Sequence, residues 1–198
     1  GKILHQKNYM KILDKLRLSG DFDLMVLKKV VAFCKESKDQ KFAVHVSFTS
    51  IRNPIISNKI KELFYKNDFV KEKVILIFSE NEYFPNKKRL NDILGELRDF
   101  GVTIAVDRLG SLHTSFLYLR DLDIDIVRFD SFYTKDENSI KYRNIIEGFN
   151  KMAHEKGVKT WVKMVQDDNT KKLVQELDID YIQGRYLASV KKDIKYKE

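Results

Sequence analysis

The sequence predicts an α/β protein built on a parallel β-sheet. Short runs of β-branched and aromatic residues alternate with amphipathic stretches of helical periodicity. The apolar runs are largely continuous, which is typical of parallel strands buried on both faces. Two segments also repeat. FGVTIAV at 100–106 resembles KGVKTWV at 156–162, and Leu-Asp-Ile-Asp occurs at 122–125 and again at 177–180. A repeated strand–helix–strand unit implies right-handed crossovers.

The strands are predicted, in chain order, at residues 42–47, 74–80, 102–107, 124–130, 160–165 and 181–184. Helices are predicted between them. Asn53 is a favourable N-cap and Pro54 suits the first helical position, so a helix should begin there. Gly101 and Gly157 each end a helical stretch ahead of a strand, where a left-handed cap is needed.

Length and composition favour one domain over residues 1–198, because 43% hydrophobic residues suffice for a core. No apolar run approaches the roughly 18 residues of a membrane helix. Cys34 is the single cysteine, which excludes an internal disulfide and predicts a reducing, cytoplasmic location. The net charge of +8 comes from lysines spread along the chain. We interpret them as solvated helix faces, so no specific DNA or RNA partner is expected.

Polar side chains gather where the predicted strands end. They are His45, Ser47, Glu80, Asp107, Arg108, Arg128, Asp130, Lys163, Gln166 and Gln183. A (β/α)8 barrel keeps its active site at this end of its strands. A doubly wound sheet would do so as well, usually with a glycine-rich phosphate turn, and no such motif occurs. Six predicted strands leave two alternatives, a barrel short of two strands or an open sheet.

Residues 101–130, GVTIAVDRLGSLHTSFLYLRDLDIDIVRFD, carry the most specific pattern. They resemble the EAL family, the bacterial cyclic di-GMP phosphodiesterases. The segments 45–47, 77–80, 162–166 and 183–184 fall on further family motifs. The resemblance implies a modified TIM (β/α)8 barrel, here truncated to six strands because the first two are missing. It also implies the C-terminal part of a longer protein, with a sensor or GGDEF domain upstream. The expected location is cytoplasmic, with the cytoplasmic domain of a membrane-bound or multidomain parent as an alternative.

Active members of this family use two Mg²⁺ or Mn²⁺ ions, which need oxygen ligands. Asp107 keeps its metal-ligand identity, and Glu80, Asp130 and Gln183 match the pattern. The departures occupy six positions: His45, Ile77, Arg108, Arg128, Lys163 and Gln166. Ile77 and Gln166 each remove one negative charge relative to the family pattern, whereas Arg108 and Lys163 each replace a carboxylate with a cation. This comparison predicts no bound metal cofactor and no enzymatic activity.

Two interpretations of the charged positions remain open. Asp107 pairs with Lys163 or Arg128 inside the pocket, or the cations Arg108, Arg128 and Lys163 bind phosphate in place of metals. Glu80 is expected to hold the loop after Asp107 by hydrogen bonds to Ser115 or Thr114. We further expect Glu80, Asp107 and Asp130 to converge with the three cations in one cleft.

The function predicted from this resemblance is a catalytically inactive EAL-like regulatory module in cyclic di-GMP signalling, acting through protein contacts. The alternative is a metal-independent cyclic di-GMP receptor. A residual phosphodiesterase is the least favoured. The expected partners are another protein or domain of the signalling system, cyclic di-GMP, or a second copy of the chain, because six open strands would expose two edges.

Overall fold

The computed structural model describes residues 6–80, 87–109, 123–135 and 138–189. It divides into two compact units, Gly1–Thr103 and Ile104–Glu198, here unit 1 and unit 2. Over the described residues, no helix combines the length and the apolar character that crossing a membrane requires. The prediction of a single domain over 1–198 stays a prediction.

Unit 1 holds two strands and five α-helices within its described residues. The elements are α1 (Gln6–Lys15), α2 (Ser19–Glu36), β1 (Phe42–His45), α3 (Phe48–Arg52), α4 (Pro54–Tyr65), β2 (Val74–Ser79) and α5 (Lys87–Asp99). β1 and β2 pair in parallel, from Phe42 opposite Val74 to His45 opposite Ile77. All the β2 residues except the last are buried, as its continuous apolar run predicts.

The turn signals of unit 1 act as predicted. The Asn53 side chain accepts hydrogen bonds from the backbone N–H groups of Ile55 and Ile56, at 3.0 and 3.4 Å, and Pro54 opens α4. Gly101 has φ +74°, and a Cβ there would lie 2.9 Å from the Lys71 side chain. Glycine is therefore required after α5 both for its backbone angle and for the space.

Unit 2 carries the other four strands of the described residues, all parallel and paired in chain order. The parallel α/β fold class is therefore confirmed in both units. The unit 2 elements are β3 (Thr103–Leu109, with Thr103 the last residue of unit 1), β4 (Ile126–Phe129), α6 (Asn138–Lys141), α7 (Arg143–Glu155), β5 (Lys159–Val162), α8 (Asp168–Glu176) and β6 (Tyr181–Ile182). Several strands end earlier than predicted. β5 stops before Met164, whose φ of +62° is incompatible with an extended strand.

The repeated Leu-Asp-Ile-Asp segment has a structural explanation. The Asp125 carboxylate accepts a hydrogen bond from the backbone N–H of Ile104, at 2.7 Å, near the start of β3. The Asp180 carboxylate accepts the equivalent bond from Thr160 at 2.8 Å, near the start of β5. Each aspartate precedes one strand and binds the beginning of another. The sequence repeat therefore corresponds to the same aspartate–backbone hydrogen bond formed twice.

Candidate functional site

Asp107 lies at the centre of a buried ion cluster in unit 2. Its Oδ1 atom is 2.6 Å from the Lys163 ammonium and its Oδ2 atom 3.6 Å from the Arg128 guanidinium. The side chains of Asp107, Lys163 and Arg128 are 10%, 16% and 5% exposed. The predicted ion pair is thus present with both cations. Because β3, β4 and β5 are parallel neighbours, their carboxyl ends bring these three side chains together.

Arg128 is held by contacts from three directions. Its guanidinium lies over the Trp161 ring, 4.1 Å from the centroid, and its Nη2 donates to Gln183 Oε1 at 3.0 Å. Asp107 lies on another side. Burial lowers the pKa of Arg128, and the Asp107 charge opposes that shift. An arginine remains protonated at neutral pH in spite of such burial. The guanidinium is therefore a fixed positive charge.

Arg108 pairs with Asp130 rather than with Asp107. The register of β3 against β4 shifts between Val106 and Leu109, and Arg108 has φ +69°. Such a bulge re-aims the side chains around it. Arg108 is 52% exposed, and its Nε donates to Asp130 at 3.2 Å. Asp130 also accepts the Phe132 N–H at 2.9 Å and so caps the short helical turn that follows β4. Arg108 and Asp130 thus form a second, more exposed pair.

A cavity of about 430 Å³ opens beside the cluster, within the usual size range of ligand sites. Its lining residues are Arg128, Ser131, Lys163, Met164, Gln166, Gln183, Gly184, Arg185 and Ala188. Of the predicted positions, Arg128, Lys163, Gln166 and Gln183 meet here. Among the described residues that line it, three are cationic and none is a carboxylate. Reasoning from the sequence missed Ser131 and Arg185, although each directly follows a predicted motif.

Gly184 fixes the wall of this cavity. A Cβ at Gly184 would lie 1.8 Å from the carbonyl oxygen of Val165, which is an impossible contact. The close approach lets Val165 N–H donate to Gln183 O at 3.1 Å and Val165 O accept from Tyr186 N–H at 3.2 Å. These bonds place Gln183, which in turn binds Arg128. A glycine is needed here because two backbones touch.

The remaining predicted positions belong to unit 1. His45 is exposed at the end of β1, and Ile77, opposite it in β2, is buried. Glu80 follows β2 and is 5% exposed. Ser115 and Thr114, the predicted hydrogen-bond partners of Glu80, fall in residues 110–122, outside the described part of the chain.

The ion cluster of unit 2 does not fit the divalent ions that the family implies. Such ions need carboxylate oxygens free to coordinate them. Asp107 has an ammonium 2.6 Å from one oxygen and a guanidinium 3.6 Å from the other. A third cation at Asp107 would be repelled by both. Within the described ranges, no group of three or more His, Cys, Asp or Glu side chains could hold a metal.

The parallel strands within each unit and the charged cavity at the strand ends of unit 2 define an α/β protein with a candidate site at the carboxyl ends of its strands. The family model of the EAL domain matches residues 1–189, and the chain belongs to that family. Its fold resembles the EAL domain of FimX from Pseudomonas aeruginosa, solved with c-di-GMP. The TM-score is 0.90 at 19% identity, over 100% of this chain and 81% of the other. LapD of Vibrio cholerae, solved as an S helix-GGDEF-EAL chain, gives a TM-score of 0.80 at 20% identity, over 89% of this chain and 44% of that one.

Proteins similar to this chain in sequence are named after an enzymatic activity. The cyclic di-GMP phosphodiesterase PdeA of Borreliella burgdorferi is 28% identical over 93% of this chain and 28% of its own length. A probable cyclic di-GMP phosphodiesterase, PdeA of Escherichia coli, is 24% identical over 93% of this chain and 26% of its own. The chain spans about a quarter of the length of these relatives.

These relatives contradict the prediction that the chain is not an enzyme. They align over 93% of it and are named phosphodiesterases. The prediction was wrong because it counted charges only at positions matched by short motifs. A hydrolytic site depends on every oxygen around the phosphodiester and the attacking water, which no such count includes.

Proposed function

We propose that the chain binds cyclic di-GMP in the unit 2 cavity and acts in cyclic di-GMP signalling. The observation that carries this proposal is the composition of the cavity wall. Arg128, Lys163 and Arg185 line it, without a carboxylate among the described lining residues. Asp107 lies behind the wall and neutralises one of these charges, so about two positive charges face the cavity.

The chemistry of the ligand matches that wall. Each of the two phosphodiesters of cyclic di-GMP carries one negative charge, and arginine and lysine are the usual partners of such groups. Arg128 is already oriented by Gln183, Trp161 and Asp107. A preorganised guanidinium loses little freedom when it binds, which favours affinity.

The comparisons support this proposal from another direction. The chain belongs to the EAL domain family, and the FimX domain that shares its fold was solved bound to c-di-GMP. The names of the sequence relatives favour a second candidate function, hydrolysis of the same nucleotide. A regulatory role through protein contacts is a third. Its support is the LapD chain, in which an EAL domain is joined to a GGDEF domain. For this chain, both the partner and the predicted cytoplasmic location stay proposals.

Calorimetric titration of the 198-residue chain with cyclic di-GMP tests the proposal. Arg185→Met should weaken binding several-fold, because Arg185 lines the cavity and its exposure makes the substitution safe for folding. Arg143→Met is the matched control. Arg143 is a 43% exposed arginine of α7 that pairs with Glu176 at 2.9 Å. Both variants lose one charge, so only the position differs.

Absence of binding, or equal weakening by both substitutions, would contradict the proposed site. The same samples, incubated with Mg²⁺ or Mn²⁺, decide the second candidate. Linear pGpG formed in proportion to protein would establish hydrolysis.

A further inference from the structure

We infer that the unit 2 cavity binds phosphodiester without a divalent ion, with the Lys163 ammonium supplying the positive charge that a metal would supply. This inference rests on the proposed function and adds how the phosphate is held. It follows from the mismatch between the ion cluster and the metal ions implied by the family.

Two cations already lie against the Asp107 carboxylate. Its carboxylate has the Lys163 Nζ at 2.6 Å and an Arg128 nitrogen at 3.6 Å. Both cations would repel a metal ion that approached the carboxylate oxygens. Displacing them would take the Asp107 charge away from two largely buried cations and place a doubly charged ion beside them, which is costly.

Lys163 has donors left for a ligand. An ammonium has three N–H groups, and Asp107 accepts one of them. The side chain is 16% exposed and lines the cavity. A phosphodiester oxygen can therefore approach the same ammonium that Asp107 holds in place. Arg128 and Arg185 line the same wall and add to the attraction.

The backbone also holds Lys163 in place. Its carbonyl oxygen accepts a hydrogen bond from the Thr134 hydroxyl, and the next residue, Met164, has φ +62°. Left-handed backbone at a non-glycine residue persists only where the surrounding structure enforces it. Lys163 is thus held both at its backbone, by Thr134, and at its ammonium, by Asp107.

The test is calorimetric titration of the chain with cyclic di-GMP in EDTA and, separately, in excess Mg²⁺. We expect equal affinity in the two buffers. Lys163→Met should weaken binding in EDTA by about tenfold or more, since a charged hydrogen bond to phosphate is lost. Lys163→Arg, which keeps the charge, should restore part of the affinity.

Lys151→Met is the matched control. Lys151 belongs to α7 in the same unit and also pairs with a carboxylate, Glu147, at 2.7 Å, but it is 69% exposed. Lys151→Met removes the same charge outside the cavity, so its affinity for cyclic di-GMP should equal that of the wild type. If Lys163→Met fails to fold, Lys163→Arg and the comparison of the two buffers still decide the question.

Three results would overturn the inference. Binding by the wild type that EDTA abolishes would show that a metal is required, while leaving the proposed function intact. Binding of Mn²⁺ alone that Asp107→Asn removes, while circular dichroism shows that the variant remains folded, would show that the carboxylate is a metal ligand after all. Absence of nucleotide binding in both buffers would contradict the proposed function itself, and the inference with it.

Discussion

Replacing Asp107 with Asn should destabilise unit 2 strongly, because it removes the charge that balances two buried cations. Lys163 and Arg128 are only 16% and 5% exposed, and both would lose the charge of the Asp107 carboxylate. Removing one partner of a buried ion pair typically costs about 3–5 kcal/mol. The lower end applies here, since the Lys163 ammonium can move toward the cavity and recover some hydration.

A loss of about 3 kcal/mol corresponds to a fall of roughly 6–12 °C in melting temperature for a chain of this size. Thermal unfolding followed by circular dichroism, and urea unfolding at constant pH, would measure it. Asp130→Asn is the matched control. It breaks the 3.2 Å pair with Arg108, which is 52% exposed, and the amide oxygen can still cap the turn after β4.

The control substitution should cost about 0–1 kcal/mol, the usual range for an exposed pair. The reasoning is refuted if Asp107→Asn melts within a degree or two of the wild type. It is also refuted if the two substitutions are equally damaging, because burial would then not determine the strength of the pair.

Other predictions concern backbone packing and pH. Gly184→Ala should cost about 1–3 kcal/mol or more, as overpacking does, because its Cβ would overlap the Val165 carbonyl. In a parallel melt, Gly148→Ala should instead raise stability by up to about 1 kcal/mol, since that helical glycine has open space around it. Burial raises the pKa of Asp23 above its ordinary 3.8, although hydrogen bonds from Ser50 and Ser47 oppose the shift. A raised folded-state pKa contributes stability that is complete below pH 3.8 and lost as the pH rises through the folded value. Asp23→Asn keeps the acceptor oxygen and should flatten that decline in urea unfolding between acid and neutral pH. An unchanged slope would show that Asp23 does not titrate in this way.

The sequence was most informative where short-range rules operate. The continuous apolar run of β2, the cap at Asn53 and the left-handed Gly101 were all predicted, because each depends on residues adjacent in the chain. The predicted pairing of Asp107 with Lys163 or Arg128 is also present, because the carboxyl ends of parallel strands lie at the same edge of a sheet. Arg108 shows where such reasoning stops. No local signal marks the bulge of β3 that directs it toward Asp130.

The prediction that the chain lacks enzymatic activity was wrong for a related reason. It inferred loss of activity from the charge of the side chain at each motif position. Relatives aligned over 93% of the chain are nevertheless named phosphodiesterases. Side-chain identities specify charges, but the distances among those charges decide what they bind. Sequence alone determined the parallel α/β class, the family resemblance and the strand ends at which charged residues gather. Only the tertiary structure decided that Asp107 takes Lys163 and Arg128, that Arg108 pairs with Asp130 instead, and that Arg185 joins the cavity wall. The physical reason is that cations of equal charge compete for one carboxylate, and burial and backbone geometry decide which of them reach it.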